Sequence, residues 1–313
     1  MGVDLFFVLS GFLITTLIIE KSRLGEFSYL EFYKRRFLRL TPPLAMMLCI
    51  YLIAAPFLWD IPFINHLRDS AVSITYLSDY ARAYFDIPDI LRHTWSLAVE
   101  EHYYLIWPLL LLTIASGRGL LRTAVNIILL AILATLWRKY ELYYSDNSFM
   151  NVYQRFDTRL SGLLIGSAAA CVSMAISFSE RATRLAAMFS TAYLIYAILG
   201  LRRLDFQALY SDLTYIEIAA AVLIISIQQN RKSDTASILS IHPLPYLGKL
   251  SYGIYLYHYP ISYYLRKQQE IDNIFLTTAL LSILLSAISY HSIEAYFRRA
   301  RHAATKESIE NTA

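Results

Sequence analysis

Nine apolar runs, each close to the length that crosses a bilayer, recur from one end of the 313-residue chain to the other. A transmembrane helix needs about 20 mostly apolar residues, with roughly 17 to 25 tolerated. Lipid offers no partners to backbone N–H and C=O groups, so each run must satisfy them within itself as an α-helix. We therefore predict an all-α, polytopic transmembrane helix bundle. The predicted spans are residues 3–20, 42–59, 95–115, 121–137, 158–178, 184–200, 213–229, 249–265 and 274–295.

The charged residues are few and lie mainly between the apolar runs. They make up 17% of the chain, against about 25% in soluble globular proteins. The formal net charge of +4 comes from basic residues that flank the spans, so we expect a lipid bilayer and no nucleic acid as partner. The larger share of Lys and Arg lies on the side of the loop 21–39 and the C-terminus, which predicts that this side is cytoplasmic. We predict one membrane domain at 1–296 and a short cytoplasmic tail at 297–313.

The third run, TWSLAVEEHYYLIWPLLLLTIA, carries two adjacent carboxylates, Glu100 and Glu101. On a helix, Ser96, Glu100, Tyr103 and Trp107 share one face. A charged side chain deep in a bilayer costs about 2.5 kcal/mol or more, so such groups usually face a polar interior. Two interpretations stay open at this point. Either the glutamates lie near the outer end of the helix and pair with Arg92 or Arg159, or at least one serves a functional site.

Three arginines precede the second run, in YLEFYKRRFLRLTPP. Arg36 and Arg39 are three residues apart and share a helix face. Guanidinium groups in this position can bind phosphates in a bidentate manner. An ordinary basic flank of a membrane helix explains the same spacing.

His258 lies in LGKLSYGIYLYHYPISYYL, on a stripe with Ser251, Tyr255 and Ser262. It is a candidate proton acceptor, although a histidine in such a place is more often a hydrogen-bond partner between helices. The sequence has no HExxH motif and no paired histidines on one face, so we predict no metal site. Asp4 is expected at the membrane interface, and Ser10-Gly11 is expected to form a packing contact between helices.

Six segments recur in an order that is typical of one family. They are GVDLFFVLSGFLIT (2–15), FYKRRFLRLTPP (32–43), TWSLAVEEHYYLIWP (94–108), RFDTRLSGLLIGSAAA (155–170), LGKLSYGIYLYHYPI (247–261) and HSIEAYFRR (291–299). Together they resemble the acyltransferase 3 family of integral membrane O-acyltransferases. The resemblance implies a ten-helix bundle in the bacterial cytoplasmic membrane. It also implies transfer of an acyl group, commonly acetyl, from cytoplasmic acyl-CoA to a hydroxyl of an extracytoplasmic glycan such as O-antigen, exopolysaccharide or peptidoglycan.

The resemblance also suggests roles for the residues singled out above. Arg36 and Arg39 are expected to bind the phosphates of acyl-CoA, which is a donor substrate; no bound cofactor is expected. Glu100 and Ser96 are expected to orient the catalytic base or to bind the acceptor sugar. His258 is expected to assist the transfer.

The start of the chain departs from the family pattern. GVDLFF opens the second helix in the family, where the preceding helix carries an arginine and a histidine taken as the catalytic base. We therefore expect either that the true start lies upstream of Met1 or that this form lacks activity. The alternatives to an enzyme are a transporter or flippase for a lipid-linked sugar and a non-catalytic remnant.

Overall fold

The computed structural model describes residues 2–145, 147–200, 211–268, 272–297 and 299, and all regular structure in these ranges is helical. The helices are α1 Gly2–Arg23, α2 Tyr29–Leu58, α3 Phe63–Ile74, α4 Ser78–Phe85, α5 Trp95–Ala115, α6 Leu120–Tyr144, α7 Phe149–Gln154, α8 Phe156–Ala175, α9 Glu180–Gly200, α10 Leu213–Gln229, α11 Asp234–Leu239, α12 Leu244–Leu265 and α13 Ile274–Ser289. A short 3₁₀ turn, Arg92–Thr94, leads into α5, and a π turn, Tyr290–Glu294, follows α13.

Each of the nine predicted apolar runs coincides with a helix apart from a few residues at its ends, which confirms the all-α, multi-pass membrane prediction. Seven helices within the described ranges are long and apolar enough to cross a membrane. The two exceptions are α10, which is apolar but has 17 residues, and α12, whose many tyrosines and Lys249 make it more polar. The count of nine spans therefore stays a prediction for these two helices.

Helix α2 begins well before its apolar run. Ser28 caps it by accepting a hydrogen bond from the backbone N–H of Glu31, at 3.5 Å. The carboxylate of Glu31 then pairs with Arg35 at 2.5 Å, one turn further along the same helix. As a result, Arg36 and Arg39 lie on a continuous helix that leads into the membrane-spanning part of the chain.

The chain divides into two compact units. The first consists of Met1–Phe27, Arg82–Phe85 and Trp95–Ile241, and the second of Ser28–Ala81, Asp86–Thr94 and His242–Ala313. The first unit contains α1 and α5 to α11, and the second contains α2, α3, α12 and α13. Helix α4 is divided between the two units. The predicted tail at 297–313 lies outside the described residues except for positions 297 and 299.

In the first unit, α1 and α8 cross with their backbones in direct contact. A Cβ atom on Gly11 would lie 1.9 Å from the carbonyl oxygen of Leu163, and one on Gly166 would lie 1.9 Å from that of Val8. Ser167 adds a hydrogen bond from its hydroxyl to the carbonyl of Gly11, at 3.1 Å. Small residues allow this close approach, as expected for helices that pack in a membrane. The packing role predicted for Gly11 is thus confirmed.

In the second unit, α12 packs closely against α13 and also against α2. A Cβ atom on Gly253 would lie 2.4 Å from the hydroxyl of Ser286, which donates to the carbonyl of Leu250 at 2.7 Å. The hydroxyl of Tyr252 donates to the carbonyl of Leu40 on α2 at 2.8 Å. These contacts fix the rotation of α12 and thereby the direction of the side chains that it carries.

Candidate functional site

The polar face predicted for α5 is buried inside the first unit. Ser96, Glu100, Tyr103 and Trp107 are all at most 3% exposed. The indole N–H of Trp107 donates to Thr15 on α1 at 2.8 Å, and the hydroxyls of Tyr103 and Ser167 hydrogen-bond at 2.5 Å. The face therefore contacts other helices of the unit through hydrogen bonds as well as apolar packing, and it is turned away from lipid.

Glu100 is stabilised by hydroxyl groups. Ser10 on α1 and Tyr104, one turn later on α5, both donate hydrogen bonds to its Oε1 atom. Ser10 thus has a polar role beyond the packing contact predicted for it. The two arginines proposed as partners have other carboxylates beside them, since Arg92 pairs with Asp89 at 2.5 Å and Arg159 pairs with Asp4.

Asp4 and Arg159 form a fully buried ion pair between α1 and α8, with both side chains 0% exposed. The guanidinium carbon of Arg159 lies 4.8 Å from the ring centre of Tyr153 and 5.8 Å from those of Phe7 and Trp95. Such stacking of a cation on aromatic rings is favourable, particularly away from water. Asp4 is thus buried within the protein, where Arg159 compensates the cost of burying its charge, and its depth at the membrane interface stays a prediction.

A second buried ion pair joins α6 to α10. Arg138 and Glu217 approach to 3.5 Å, with side chains 0% and 1% exposed. Ser161 on α8 bridges them, since its hydroxyl accepts from Arg138 at 3.0 Å and donates to Glu217 at 3.0 Å. Arg138 also donates to the hydroxyl of Thr214 at 2.6 Å. Arg138 directly follows the predicted span 121–137, and only a contact distant in the sequence reveals that it is buried.

Arg155 anchors the start of α8 just outside the apolar span. Its guanidinium donates to Glu141 at 2.6 Å and to Asp157 at 2.5 Å. Burial acts to lower the pKa of Arg155, but the hydrogen bonds to Asp157 and Glu141 outweigh it and raise the pKa above its ordinary value. The charged form is therefore strongly favoured, which fixes the end of α8 that presents Arg159.

In the second unit, Arg39 lines a cavity of about 420 Å³ between α2, α12 and the turn after α13. Lys249 brings a second positive charge, Tyr252 and Tyr290 bring hydroxyl groups, and Glu294 brings a carboxylate. Arg36, one turn earlier on α2, is half-buried and is not among the residues that line this cavity. Cationic and hydroxyl groups around one cavity are suited to an anionic ligand.

His258 lies in the second unit within a cluster of aromatic rings. Its Nδ1 atom is 2.6 Å from the carbonyl oxygen of Tyr255, one turn earlier on α12. The rings of Tyr255, His93 and Tyr259 surround it, with centre-to-centre distances of 5.2, 5.6 and 6.1 Å. His93 was not singled out from the sequence, although its position directly before the α5 motif could have drawn attention to it.

The predicted site residues are thus divided between the two units. Ser96 and Glu100 lie within two turns of each other in the first unit, whereas Arg36, Arg39 and His258 belong to the second. The structure gives the position of each of these residues within its unit, and their roles in a reaction stay predictions.

Comparison with known proteins gives one family match. The model of an acyltransferase domain, Acyl_transf_3, matches residues 1–291. The O-acetyltransferase OatA of Staphylococcus aureus is 32% identical over 323 residues, which cover 96% of this chain and 52% of the relative. The peptidoglycan O-acetyltransferase OatA of Listeria monocytogenes is 31% identical over 322 residues, which cover 95% of this chain and 51% of the relative. The chain therefore spans about half the length of these relatives. No solved structure is significantly similar to it.

Proposed function

The chain belongs to the Acyl_transf_3 family of acyltransferase domains, and on that premise we propose that it is an O-acetyltransferase that modifies a cell-wall glycan. The observation that carries the proposal is the family match over residues 1–291, supported by relatives that are named O-acetyltransferases. The chain is a multi-pass membrane protein, and we place it in the bacterial cytoplasmic membrane. Peptidoglycan is the acceptor that the name of the Listeria relative favours over other surface glycans.

The proposed reaction moves an acetyl group from a thioester to an alcohol. The hydroxyl oxygen of the glycan attacks the thioester carbonyl of acetyl-CoA, a C–O bond forms, and the C–S bond breaks. The proton of the hydroxyl passes through a base to the sulfur of coenzyme A, which leaves as a thiol. Acetyl-CoA is consumed as a substrate in this scheme, so it is not a resident cofactor.

We assign the donor to the cavity beside Arg39. Acetyl-CoA carries several phosphate groups, and the cavity combines Arg39 and Lys249 with the hydroxyls of Tyr252 and Tyr290. Arginine is well suited to phosphate because its planar guanidinium can donate two parallel hydrogen bonds. Arg36, one turn earlier on α2, adds positive charge to the same end of the helix. The predicted topology places this end of α2 on the cytoplasmic side, where acetyl-CoA is made.

Arg39→Ala tests the donor assignment against the alternative of an ordinary basic flank. Membranes that contain the variant receive labelled acetyl-CoA, and ester-linked acetyl on the glycan is measured over a range of donor concentrations. We expect KM for acetyl-CoA to rise about tenfold or more, since a charged hydrogen bond contributes about 1.5–3 kcal/mol. Arg35→Ala removes one positive charge from the same helix end and is expected to behave like the wild type. Equal effects of the two substitutions would contradict the assignment.

We assign the glutamate of the first unit to the acceptor. The Oε1 atom of Glu100 accepts hydrogen bonds from the hydroxyls of Ser10 and Tyr104. Ser96 lies one turn before Glu100 on the same face of α5. A buried carboxylate can bind sugar hydroxyls or orient a base during proton transfer. Either role requires negative charge at this position, which distinguishes it from a merely packed polar residue.

We propose that His258 assists the transfer. A carbonyl oxygen only accepts hydrogen bonds, so the Nδ1 atom that faces Tyr255 carries the hydrogen of a neutral ring. The Nε2 atom of that ring then carries the lone pair and can accept a hydrogen bond. This arrangement supports a chemical role, although a packing histidine satisfies the same hydrogen bond.

A carrier for a lipid-linked sugar is the alternative that the experiment must exclude. Buried charged residues such as Arg138 and Glu217 are also found in transporters, where they take part in ion coupling. Acetyl ester on the glycan supports the transferase. Movement of the glycan across the membrane with no ester formed would support the carrier and overturn the proposal.

A further inference from the structure

Glu294 places a carboxylate in the cavity beside Arg39. That cavity of about 420 Å³ is also lined by Lys249, Tyr252 and Tyr290. A carboxylate repels phosphate, so its presence does not suit a site for phosphate alone. It suits a ligand that carries phosphate at one end and hydrogen-bond donors at another, because an ionised carboxylate only accepts hydrogen bonds.

The turn that carries Glu294 differs from the helix before it. Tyr290–Glu294 is a π turn, and its first and last residues both line the cavity. Ser289, directly before the turn, is 0% exposed and donates to Oε1 of Glu294 at 3.4 Å. Such turns at the end of α-helices are frequent at functional sites. The π turn therefore brings an aromatic ring and a carboxylate to the same cavity.

A second ring pair joins this turn to the start of α12. The ring of His291, next to Tyr290 in the chain, stacks on that of Tyr246 with planes at 26° and centres 6.2 Å apart. The hydroxyl of Tyr246 and Nε2 of His291 also form a hydrogen bond at 3.1 Å. Gly248 and Lys249, which line the cavity, follow Tyr246 on α12. The wall that carries the carboxylate thus also carries aromatic rings, which favour the stacking of a flat ligand ring.

The nucleotide part of acetyl-CoA combines the features that this cavity requires. Its phosphates suit Arg39 and Lys249, and its adenine is a flat ring whose amino group donates hydrogen bonds. The amino group lies at the end of the base that is remote from the phosphates. A carboxylate beside the amino group therefore gains a hydrogen bond and avoids the repulsion that it would meet beside the phosphates.

We propose that Glu294 recognises the adenine of acetyl-CoA by accepting a hydrogen bond from its amino group, while Arg39 and Lys249 bind the phosphates. The inference rests on the proposed function, because it takes this cavity as the donor site. Its own content is a preference for adenine over a base that carries an oxygen in place of the amino group. The alternative is that Glu294 only balances the charges of the two cations, and the experiments separate the two roles.

The first test compares acetyl-CoA with its deaminated analogue, in which hypoxanthine replaces adenine. The oxygen of hypoxanthine accepts hydrogen bonds and cannot donate to the carboxylate, so we expect the wild type to favour acetyl-CoA about tenfold or more in kcat/KM. In Glu294→Gln the amide both accepts and donates, and the preference should fall to about twofold or less. This ratio is measured within one protein and does not depend on how much of it folds. No preference in the wild type, or the same preference in the variant, would overturn the inference.

Glu26→Gln is the matched control. Glu26 is an exposed carboxylate on the same predicted side of the membrane and is not among the residues that line the cavity. Its substitution removes the same charge, and the variant should keep the wild-type preference for acetyl-CoA. Loss of the preference in Glu26→Gln as well would show an effect of net charge and would overturn the inference.

Binding of nucleotide fragments tests the inference without catalysis and without a substitution. Thermal unfolding of the wild type in detergent is followed with adenosine bisphosphate, the nucleotide part of coenzyme A, with the matching inosine bisphosphate, and with inorganic phosphate. A ligand that binds only the folded form raises the melting temperature. We expect the adenosine compound to raise it most. Equal shifts with the inosine compound or with inorganic phosphate would contradict recognition of the base.

Coenzyme A itself separates the inference from the function on which it rests. If it does not raise the melting temperature and acetyl-CoA is not consumed, the donor assignment fails and the inference fails with it. If acetyl-CoA is bound and consumed but the deaminated donor serves equally well, only the recognition of adenine is overturned. Transfer with a preference for adenine that Glu294→Gln loses supports the two together.

Discussion

Glu100 shows how a membrane helix holds a carboxylate. The hydroxyls of Ser10 and Tyr104 share its Oε1 atom, and the side chain is 3% exposed. Hydrogen bonds to hydroxyl groups reduce the cost of burying a charge, but they neutralise it less than an arginine would. We interpret Glu100 as a carboxylate that keeps its charge available for chemistry.

Glu100→Gln tests this interpretation at the level of one residue. The amide oxygen still accepts from Ser10 and Tyr104, so folding should be preserved while the negative charge is lost. We expect acetyl transfer to fall about tenfold or more, a change of about 1.4 kcal/mol or more in the barrier. The measurement is the initial rate of ester formation on the glycan in membranes with equal amounts of protein.

Glu101→Gln is the matched control, because it removes the neighbouring carboxylate from the same helix. It is expected to transfer acetyl at close to the wild-type rate. A wild-type rate in Glu100→Gln would show that the charge at this position is dispensable and that Glu100 has a structural role.

At the level of helices, the crossing of α1 and α8 depends on Gly11 and Gly166. A larger residue at either position would force the two helix backbones apart. Gly166→Ala places a Cβ atom 1.9 Å from the carbonyl of Val8, which is backbone and cannot rotate away. We expect a loss of about 1–3 kcal/mol or more in stability, as for other overpacked interiors. Thermal unfolding in detergent measures it.

Gly119→Ala is the control for this substitution, since a Cβ atom there meets nothing within 4 Å. Its melting temperature should stay close to that of the wild type. An unchanged melting temperature in Gly166→Ala would contradict the backbone contact between α1 and α8.

The ion pair of Arg138 and Glu217 makes a separate prediction about how α6 and α10 are held. Arg138→Leu leaves a buried glutamate without its cation, and we expect a loss of about 3–5 kcal/mol. Replacing both residues by leucine removes both charges, and we expect a much smaller loss. A double-mutant cycle of unfolding free energies measures the coupling. Additive losses in the cycle would contradict a direct interaction.

The sequence predicted the individual helices better than it predicted which helices contact each other. The burial of the Ser96, Glu100, Tyr103 and Trp107 face was predictable because it depends only on the 3.6-residue period of a helix. The pairing of Asp4 with Arg159 joins residues 155 positions apart, and no local pattern specifies which helices meet. The same reason explains why the burial of Arg138, one residue beyond the predicted span 121–137, did not follow from the sequence.

Other features of the candidate site could have been found from the sequence. Pro260 lies four residues after Leu256, so an open carbonyl on α12 follows from helix geometry alone. The donor to this carbonyl is Nε2 of His93, at 3.1 Å, and its identity does not follow because His93 is distant in the chain. Likewise, the spacing of Arg36 and Arg39 predicted a shared face, but the cavity with Lys249 depends on how α12 packs against α2.

For the molecule as a whole, the proposal requires a donor on one side of the membrane and a product on the other. The basic segment 21–39, which includes the start of α2, and the cavity beside Arg39 mark the side that the charge distribution predicts to be cytoplasmic. The N-terminal end of α5, with Ser96 and Glu100, lies toward the opposite side in that topology. Acetyl should therefore leave coenzyme A on the cytoplasmic side and be found as an ester on the outside.

Sealed vesicles that contain the protein in a known orientation test this claim most directly. Acetyl-CoA with a labelled acetyl group is supplied only on the side of the basic segment 21–39, and a glycan acceptor is supplied only on the other side. We predict labelled ester on the glycan, and its loss in Glu100→Gln and Arg39→Ala. Ester formed only when donor and acceptor share one compartment, or no ester in the presence of both, would contradict transfer across the membrane by this protein.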